Sequence, residues 1–534
     1  MKSNGLSFHH PLAFWAGCAA IVAGVLGHLP MFAMAAPMGY RMVGMPMDLP
    51  MMIGMALIPA GLLLAGYGLA PRLAQIQRTL HSDVGLQFHV ADAAALNRRH
   101  WALVAALLVA LAVDVMKPAT LGFVLPGMTR EYGITEGTGG LLALVALTGT
   151  TIGSIVWGRL ADTFGRRAAI MLSALMFIGT AICGAMPSFA WNLVMCFLMG
   201  ASAGGLLPIT FTLMAEMIPA AHRGWLLVAL GGVGTWAGYM LAAGAASLLE
   251  PVFSWRALWL LGLPTGALII FMDRYIPESP RFLANAGLVT QARAVLARYA
   301  GVVDAVGAPA PADAAWAQPS PRGRIRDLLH GPHAPLTLGL LVCGTCWGLV
   351  NFGFLLWLPT ALVRMGMDAG AASALLARSA LLALPGVLLV IVLYHRWSSI
   401  RSLVMFVGLT AACLAAFVAI GVLGVTSEAM IVAATAALLV SASGVIAMLI
   451  PYAAEIYPVQ LRGTGSGLVA ASSKFGGILG ALAGVAGLFG DMTVAAFAIA
   501  LPTALSAVLL WRSGVETRGY GLESIQQAFR RAPP

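Results

Sequence analysis

Charged residues are scarce in this sequence: they make up 9% of its 534 residues, whereas 60% are hydrophobic. Soluble domains carry roughly 25% charged residues, so this chain has too few to cover the surface of a water-soluble globule of its length. Lipid must therefore be the solvent for most of it. The sequence also lacks a phosphate-binding P-loop and an H-E-x-x-H pattern. These absences disfavour an enzyme and ATP-driven transport, and we expect neither a cofactor nor a metal.

Acidic residues are scarcer than basic ones, and 20 Asp and Glu against 30 Lys and Arg leave a net charge of +10. The basic residues are spread between apolar segments without a basic face, which disfavours a nucleic-acid partner. With the N-terminus placed in the cytoplasm, 23 of the 30 Lys and Arg fall on the cytoplasmic side and 4 on the opposite side. This asymmetry follows the positive-inside rule. It predicts a multi-pass protein of a cell membrane, such as a bacterial inner membrane, with both termini cytoplasmic.

Cysteine is rare too, and the six thiols all fall within apolar segments, which argues against a disulfide framework. The apolar stretch from Leu12 to Ala36 is too long for the core of a signal peptide. A second apolar stretch follows it, so we expect both to be retained as membrane spans.

Long apolar runs fill most of the chain, and a membrane-spanning helix needs about 20 such residues. The runs are unbroken, whereas the lipid-facing strands of a barrel would alternate apolar and polar residues. An extra pair of helices is predicted at about 12–35 and 50–70. Twelve more are predicted at about 101–125, 139–158, 169–186, 192–214, 225–249, 255–273, 335–360, 371–394, 401–423, 428–451, 465–489 and 493–512.

The segment 274–334 divides the twelve later spans into two sets of six. It holds four prolines within 309–321 and many charges, which is typical of a cytoplasmic linker, and Thr290 to Tyr299 within it suits a short surface helix. The predicted domains are an extension with two spans and a cytoplasmic linker (1–100), two six-helix bundles (101–273 and 335–512), the inter-bundle linker (274–334) and a cytoplasmic tail (513–534).

The two sets of six spans also share a sequence repeat. The pattern Glu216-x-x-Pro219-x-x-x-Arg223-Gly224 recurs as Glu455-x-x-Pro458-x-x-x-Arg462-Gly463 at the matching place in the second half. Duplicated helical halves around a central site are the architecture of alternating-access transporters. The repeat therefore favours a carrier.

A glycine- and charge-rich loop follows the second of the twelve spans. It reads Gly158-Arg-Leu-Ala-Asp162-Thr-Phe-Gly165-Arg166-Arg167 and resembles the G-x-L-a-D-r-x-G-R-r loop of the major facilitator superfamily. The glycines permit a tight turn between close-packed helices, and Asp162 is suited to pairing with an arginine or capping a helix. The resemblance implies an all-α membrane fold of two six-helix bundles, here with two extra helices for 14 in total.

Three further matches point to the branch that contains sugar porters, organic-ion transporters and aromatic-acid/proton symporters. They are Pro277-Glu278-Ser-Pro-Arg281-Phe-Leu after the sixth span, the paired Glu-x6-Arg-Gly motifs, and Glu516-Thr-Arg-Gly519 after the last span. The resemblance covers 101–525 and implies that these charges form gating networks. The residues assigned to gating are Gly158, Asp162, Gly165, Arg166, Arg167, Glu216, Arg223, Glu278, Arg281, Glu455 and Arg462.

The second-half counterpart of the glycine-rich loop departs from the pattern. It should lie near 394–402, where the sequence reads Tyr-His-Arg-Trp-Ser-Ser-Ile-Arg and lacks both the Gly and the Asp. This departure weakens a strict sugar-porter assignment.

The first of the twelve spans carries two ionisable residues, Asp114 and Lys117, on one helical face. Aromatic-acid symporters often show D-G-x-D here, so Asp114 keeps the first acid and Lys117 replaces the second. Arg378 and Lys474 also lie within spans, where a charge normally faces a cavity or a partner. Three cations against one deep acid predict a carboxylate-bearing solute, with a proton as the possible coupling ion.

Other polar and aromatic residues are candidates for the cavity wall: Trp347, Asn351, Trp357, Ser441 and Ser443. The tryptophans are suited to stacking on an aromatic acid, and equally to anchoring at the membrane interface. The structural alternative for the charges is that Arg378 extends to the interface and Asp114 pairs with Lys117.

The extra helical pair is rich in methionine, with nine Met residues between Met31 and Met55 and His28 nearby. Thioethers suit Cu(I), so a copper interpretation is chemically admissible. Methionine is also a pliable filler in apolar packing, and we favour packing against the transporter or binding of a partner.

The sequence therefore predicts a secondary active transporter that imports a small organic anion by alternating access, with proton coupling. A sugar carrier, a drug or metabolite carrier of the same fold, and a non-transporting membrane sensor remain as alternatives.

Overall fold

The computed structural model describes residues 10–69, 94–285, 288–300, 334–424, 427–457 and 459–517. Parts of the predicted linkers and tail lie outside these ranges, as do the side chains of Asp162, Arg281, Glu455 and Arg462. Across the described ranges every regular element is a helix, and 14 helical segments are long and apolar enough to cross a membrane. The predicted all-α membrane fold with 14 spans is confirmed.

The helices of the extension and of the first half are α1 (Pro11–Leu26), α2 (Leu29–Ala35), α3 (Leu49–Leu69), α4 (Arg98–Tyr132), α5 (Glu136–Phe164), α6 (Arg166–Gly179), α7 (Phe189–Met217), α8 (Ala220–Phe253), α9 (Ala257–Leu260), α10 (Gly262–Phe271), α11 (Pro280–Asn285) and α12 (Val289–Ala300). Short 3-10 segments continue three of them, at Ala36–Met38, Thr180–Ala185 and Met272–Tyr275.

The helices of the second half are α13 (Ala334–Gly348), α14 (Leu355–Arg364), α15 (Ala369–Arg396), α16 (Ser399–Val422), α17 (Glu428–Ile456), α18 (Val459–Val485) and α19 (Met492–Ser513). A π-helical turn, Leu349–Phe354, joins α13 to α14, so that the two form one span. A single 3-10 turn, Leu488–Gly490, precedes α19.

The predicted helix ends agree best with the observed ones where a capping residue stops the helix. They agree least where polar residues continue the helix. The last predicted span, 493–512, matches α19 within a residue at each end, because Asp491 caps its N-terminus. The first of the twelve, predicted at 101–125, runs as α4 to Tyr132, since Pro118 and Pro126 are accommodated inside it. The predicted surface helix at Thr290 to Tyr299 is present as α12.

The chain divides into two compact units. Unit 1 comprises 1–117, 148–226 and 256–318, and unit 2 comprises 118–147, 227–255 and 319–534. Three helices, α4, α5 and α8, therefore contribute one part to each unit. The residues that carry the motifs of the first half, Gly158 to Arg167 and Glu278, belong to unit 1.

In unit 1 the extra helices α1 and α3 pack against each other through glycines. A Cβ on Gly17 would meet the backbone oxygen of Gly61 at 2.6 Å, and one on Gly61 would meet the oxygen of Gly17 at 2.7 Å. Such close backbone approach requires small residues, as is typical of helix pairs in membranes. The pair packs on α6, where Ile58 of α3 lies against Gly179.

In unit 2 the span formed by α13 and α14 packs closely on α18. Gly353 in the π-helical turn approaches Gly480 so closely that a Cβ on Gly480 would meet the Gly353 backbone at 3.0 Å. Gly348 and Gly476 make similar backbone contacts with the facing helix. These glycines place the middle of the seventh transporter span directly against the eleventh.

Candidate transport site and gating network

The glycine-rich loop of unit 1 is built around the buried carboxylate of Glu278. This side chain is 4% exposed and accepts hydrogen bonds from the backbone N–H groups of Arg166, at 2.7 Å, and Arg167, at 3.1 Å. Gly165, just before α6, has a φ of 105°, and a Cβ there would collide with the Glu278 carboxylate. Glycine is therefore required here both by conformation and by space. The loop motif and the Pro277-Glu278 motif form one site.

Two ion pairs tie the same loop to neighbouring helices. Arg167 makes a two-point contact with Asp273, from Nε to Oδ1 at 2.7 Å and from Nη2 to Oδ2 at 2.5 Å. Arg166 reaches Glu216 at 3.4 Å and lies over the ring of Phe282, 5.3 Å from its centroid. Of the predicted gating residues, Gly165, Arg166, Arg167, Glu216 and Glu278 are thus brought together.

The other predicted gating residues are placed less closely. Arg223 donates to the backbone oxygen of Ile218 from both Nε, at 3.3 Å, and Nη2, at 3.2 Å, and so caps the end of α7. A Cβ on Gly158 would meet no atom of the described residues within 4 Å. The side chains of Asp162, Arg281, Glu455 and Arg462 fall outside the described part of the chain.

Unit 2 has a related carboxylate site at Glu516, which is half-buried. Its carboxylate accepts from the backbone N–H of Ser399, at 3.0 Å, from the Ser399 hydroxyl, at 2.6 Å, and from the hydroxyl of Ser398. Ser399 begins α16, the counterpart of α6. The loop before α16 lacks the Gly and Asp of the first-half motif, and two serine hydroxyls join the backbone N–H of Ser399 in bonding to the acid. The sequence did contain a signal for this second site, because Glu278 and Glu516 each follow the last span of a half.

Burial dominates the electrostatics of Glu278. Desolvation raises the pKa of this carboxyl to about 7, against the opposing effect of the backbone N–H donors and of the Arg166 charge. The buried acid beside the glycine-rich loop of unit 1 therefore changes charge near neutral pH.

Lys117 lies wholly inside unit 1. It is 0% exposed, and its Nζ lies 4.5 Å from the centroid of the Phe177 ring and 5.8 Å from that of Trp259. The Nζ atom also lies against Gly262, where a Cβ would be 2.5 Å away. Glycine at 262 thus leaves the room that the ammonium group occupies. Within the described residues Nζ has no hydrogen-bond acceptor, so it forms no such bond with Asp114.

Asp114, one helical turn before Lys117, is 5% exposed. The environment of Lys117 also includes the thiols of Cys183 and Cys196, which contact each other. The aromatic partners Phe177 and Trp259 were not predicted, because nothing in their spacing distinguishes them from other core residues.

In unit 2 the predicted cavity residues surround the π-helical turn. Asn351 lies within the turn, Trp347 precedes it and donates from Nε1 to the backbone oxygen of Ala442 at 2.8 Å. Trp357 follows the turn, is 2% exposed and stacks on Phe489 with 5.8 Å between ring centroids. π-helical turns occur frequently at functional sites because they present side chains and backbone groups irregularly.

Three buried polar groups near this span lack hydrogen-bond partners within the described residues: Trp357 Nε1, Thr360 Oγ1 and Tyr239 Oη. Trp357 and Thr360 are one turn apart on α14. The ring of Tyr239, on α8, lies 5.9 Å from that of Phe123, next to Gly122, which packs on the backbone of Leu356. All three can donate a hydrogen bond. Thr360 and Tyr239 were missed from the sequence because lone hydroxyls in apolar spans are common.

The two remaining cations of the spans differ in position. Lys474 is half-buried on α18, directly after Ser473, whose backbone oxygen faces Gly348 of α13. Arg378 is 68% exposed and pairs with Glu428 at 2.9 Å. The structure therefore does not bring Arg378 to the polar groups around α14. Ser441 and Ser443 are buried, and the Ser441 hydroxyl bonds to the backbone of its own helix at 3.0 Å.

A second charged contact in unit 2 was also missed. Arg364, at the end of α14, pairs with Glu136 at the start of α5 and donates from Nη1 to the backbone oxygen of Gly490 at 2.9 Å. Trp255 donates to Glu131 at 2.9 Å nearby. Within unit 2 these contacts tie the end of α4 to the chain just after α8, and the start of α5 to α14 of the second half.

The raised pKa of Glu278 predicts a pH-dependent stability. Because the folded protein binds the Glu278 proton more tightly than the unfolded chain, its contribution to the free energy of unfolding is complete below about pH 4.5 and is lost as pH rises to about 7. Glu278→Gln imitates the protonated form, so its melting temperature should exceed that of the wild type increasingly between pH 5 and 7. Thermal melts in detergent across this range test the sign. A gap that shrinks as pH rises would contradict it.

Glu516→Gln should slow transport at least tenfold, because the amide loses the charge-assisted hydrogen bonds at the start of α16. Asp491→Asn provides a matched control. Asp491 also caps a helix, accepting from Thr493 N–H at 2.8 Å, but it is exposed and far along the chain from the motifs. Initial uptake rates in proteoliposomes should fall for Glu516→Gln alone. Equal losses in both variants would reduce Glu516 to an ordinary helix cap.

Comparison with known proteins agrees with this geometry. The family model described as Major Facilitator Superfamily matches residues 102–481. The chain is 27% identical over 431 residues to the niacin transporter NiaP of Acinetobacter baylyi, covering 77% of this chain and 93% of that protein. It is 33% identical over 233 residues to the 4-hydroxybenzoate transporter PcaK of the same organism, covering 42% and 50%.

Among solved structures, the inward open conformation of the xylose transporter XylE from E. coli aligns with a TM-score of 0.62 and 15% identity, covering 80% of this chain and 99% of that chain. At this identity the likeness shows the fold alone. The family match covers well over half of the chain and includes the glycine-rich loop, Lys117 and the π-helical turn. The chain therefore belongs to the Major Facilitator Superfamily, and it is a multi-pass membrane transporter.

Proposed function

We propose that this transporter carries a small aromatic carboxylate, and that proton movement at Asp114 and Lys117 drives its uptake. The observation that carries the proposal is the set of buried donors in unit 2: Trp357 Nε1, Thr360 Oγ1 and Tyr239 Oη. Buried donors without acceptors are costly, and a carboxylate offers acceptor lone pairs to several of them at once. The aromatic rings of Trp347 and Trp357 suit a flat ring beside that carboxylate.

The named relatives support the same class of solute. Niacin and 4-hydroxybenzoate, which give two of the relatives their names, are both aromatic monocarboxylic acids. Lys474 adds a cation on α18, the helix that packs on the π-helical turn. A positive charge at this place attracts an anionic solute.

Lys117 is assigned to proton coupling, because its Nζ is enclosed by aromatic rings and lacks an oxygen acceptor in the described part of unit 1. An ammonium ion in such a place costs free energy unless a counter-charge is near. Asp114 lies one turn away on the same helix, and a bend of α4 at Pro118 would move both groups relative to the helices that surround them. Their proton affinity would then differ between conformations.

The membrane orientation is part of the proposal. The asymmetry of Lys and Arg supports an N-terminus and a C-terminus in the cytoplasm of a bacterial cell, and the Glu278 and Glu516 sites on the cytoplasmic side. Import follows if the solute binds from the opposite side.

The solute site is tested with Thr360→Val and Tyr239→Phe, which remove one donor each with little change in volume. Uptake of labelled nicotinate and 4-hydroxybenzoate into proteoliposomes should show KM raised about 10- to 100-fold, because a hydrogen bond to a charged group contributes roughly 1.5–3 kcal/mol. Thr410→Val is the matched control, because the Thr410 hydroxyl bonds to the backbone of its own helix at 2.8 Å. Xylose should not compete.

Competition by xylose with no effect of either variant would favour a sugar carrier, and binding without uptake would favour a sensor. Either result would reject the proposal.

Proton coupling is tested separately with Lys117→Met. This variant should lose accumulation driven by an inside-alkaline pH gradient at least tenfold, while solute exchange between equal concentrations, which requires no net proton movement, should remain within about threefold of the wild type. Arg512→Gln removes an exposed cation at the end of α19 and serves as control. Loss of exchange together with accumulation would show that Lys117 supports binding or folding instead of coupling.

A further inference from the structure

The extra helical pair, α1 to α3, lies outside the family match and takes no part in the proposed transport site. It nevertheless contains a buried histidine with an unusual environment. His28, between α1 and α2, is 1% exposed. Apolar packing alone would be served better by a leucine or phenylalanine, since a buried imidazole needs partners for both nitrogens. We therefore expect His28 to bind a ligand.

The hydrogen bonding of His28 fixes which ring nitrogen is available. Nδ1 lies 2.8 Å from the backbone oxygen of Gly24. A carbonyl oxygen only accepts, so Nδ1 carries the proton, and Nε2 of the neutral ring presents a lone pair. Nε2 is buried and has no hydrogen-bond partner in the described residues. Metal-binding histidines are typically held in this way, with the second ring nitrogen donating to a carbonyl.

The methionines of this segment fall into two groups by burial. Met31, Met42 and Met51 are each at most 1% exposed. Met34, Met38 and Met52 are 51% to 58% exposed. The buried thioethers are therefore turned into the protein, and the exposed ones provide an internal comparison.

Two of the buried methionines are placed on the faces that converge on His28. Met31 follows His28 by three residues in the helical turn that begins α2, which puts both on one side. Met51 precedes Gly54 by three residues on α3, and a Cβ on Gly54 would lie 2.9 Å from Cε1 of His28. Gly54 thus gives the imidazole room, and Met51 lies on the same side of α3.

We propose that His28 Nε2 and the thioethers of Met31 and Met51 bind one Cu(I) ion. Thioether and imidazole ligands select the soft monovalent ion over Mg²⁺ or Ca²⁺. Asp48 interacts electrostatically with His28 and accepts a hydrogen bond from Met51 N–H at 2.9 Å, so a negative charge stands near the site. Across the described residues no group of three His, Cys, Asp or Glu offers a site for a harder ion.

The test uses the full-length protein in detergent under anaerobic conditions, titrated with Cu(I) in competition with bicinchoninate and with Ag(I) as a redox-silent probe. The wild type should bind one equivalent. His28→Leu, Met31→Leu and Met51→Leu should each weaken binding at least tenfold. Met34→Leu and Met52→Leu, which alter exposed thioethers, should stay within about twofold. The substituted side chains are apolar and of similar size, so the helical pair should keep its packing, and melting temperatures check this.

X-ray absorption of the Cu(I)-loaded protein gives a second readout. Mixed nitrogen and sulfur scattering in the wild type, with the nitrogen contribution lost in His28→Leu, would support the site. Failure of the wild type to bind Cu(I), or equal losses in the buried and exposed methionine variants, would overturn it. In that case the methionines serve packing alone. Neither result depends on whether the proposed solute is transported.

Discussion

The structure depends on carboxylates that accept hydrogen bonds at the start of helices, one of them buried and the other half-buried. Removing a carboxylate from water is costly, and Glu278 and Glu516 are tolerated because backbone N–H groups and hydroxyls surround them. At Gly165 the requirement extends to the backbone, since only glycine leaves space for the acid. Each acid ties the chain after the last span of a half to the start of the third span of that half. The loops at these positions are therefore held by hydrogen bonds that a conformational change has to disturb.

Most of the fold could be predicted from the sequence because hydropathy reports directly on lipid as solvent. All 14 spans were located, and the errors concern helix ends. α4 runs to Tyr132 because the polar residues after Pro126 keep helical hydrogen bonds beyond the apolar stretch. The π-helical turn at Leu349–Phe354 could not be predicted, since its residues are no less helix-forming than those around them. It depends on the close contact with α18, which is a property of the packed pair.

The candidate site was predictable only in part. The motif residues contact one another, because short motifs are defined by the contacts they make. The backbone N–H groups of Arg166 and Arg167 donate to Glu278, for example. Charges in spans were less reliable guides: Lys117 is enclosed by Phe177 and Trp259, whereas Arg378 pairs with Glu428 on an exposed face. Long basic side chains reach several ångströms in any direction. The position of such a residue in the sequence is therefore a poor guide to how deeply its charged group is buried. The residues that contact this group come from helices distant in the chain.

The π-helical turn has a mechanical consequence. A turn of this type accommodates one residue more than an α-helical turn, and each residue of an α-helix corresponds to about 100° of rotation. If the extra residue were absorbed elsewhere along the span, every side chain between the old and the new position of the turn would rotate around the axis by roughly that angle. Trp357 and Thr360 would then turn from one neighbour to another without any change in the ends of the helix. Movement of the π-helical turn along the span would therefore change which side chains of this span face each neighbouring helix.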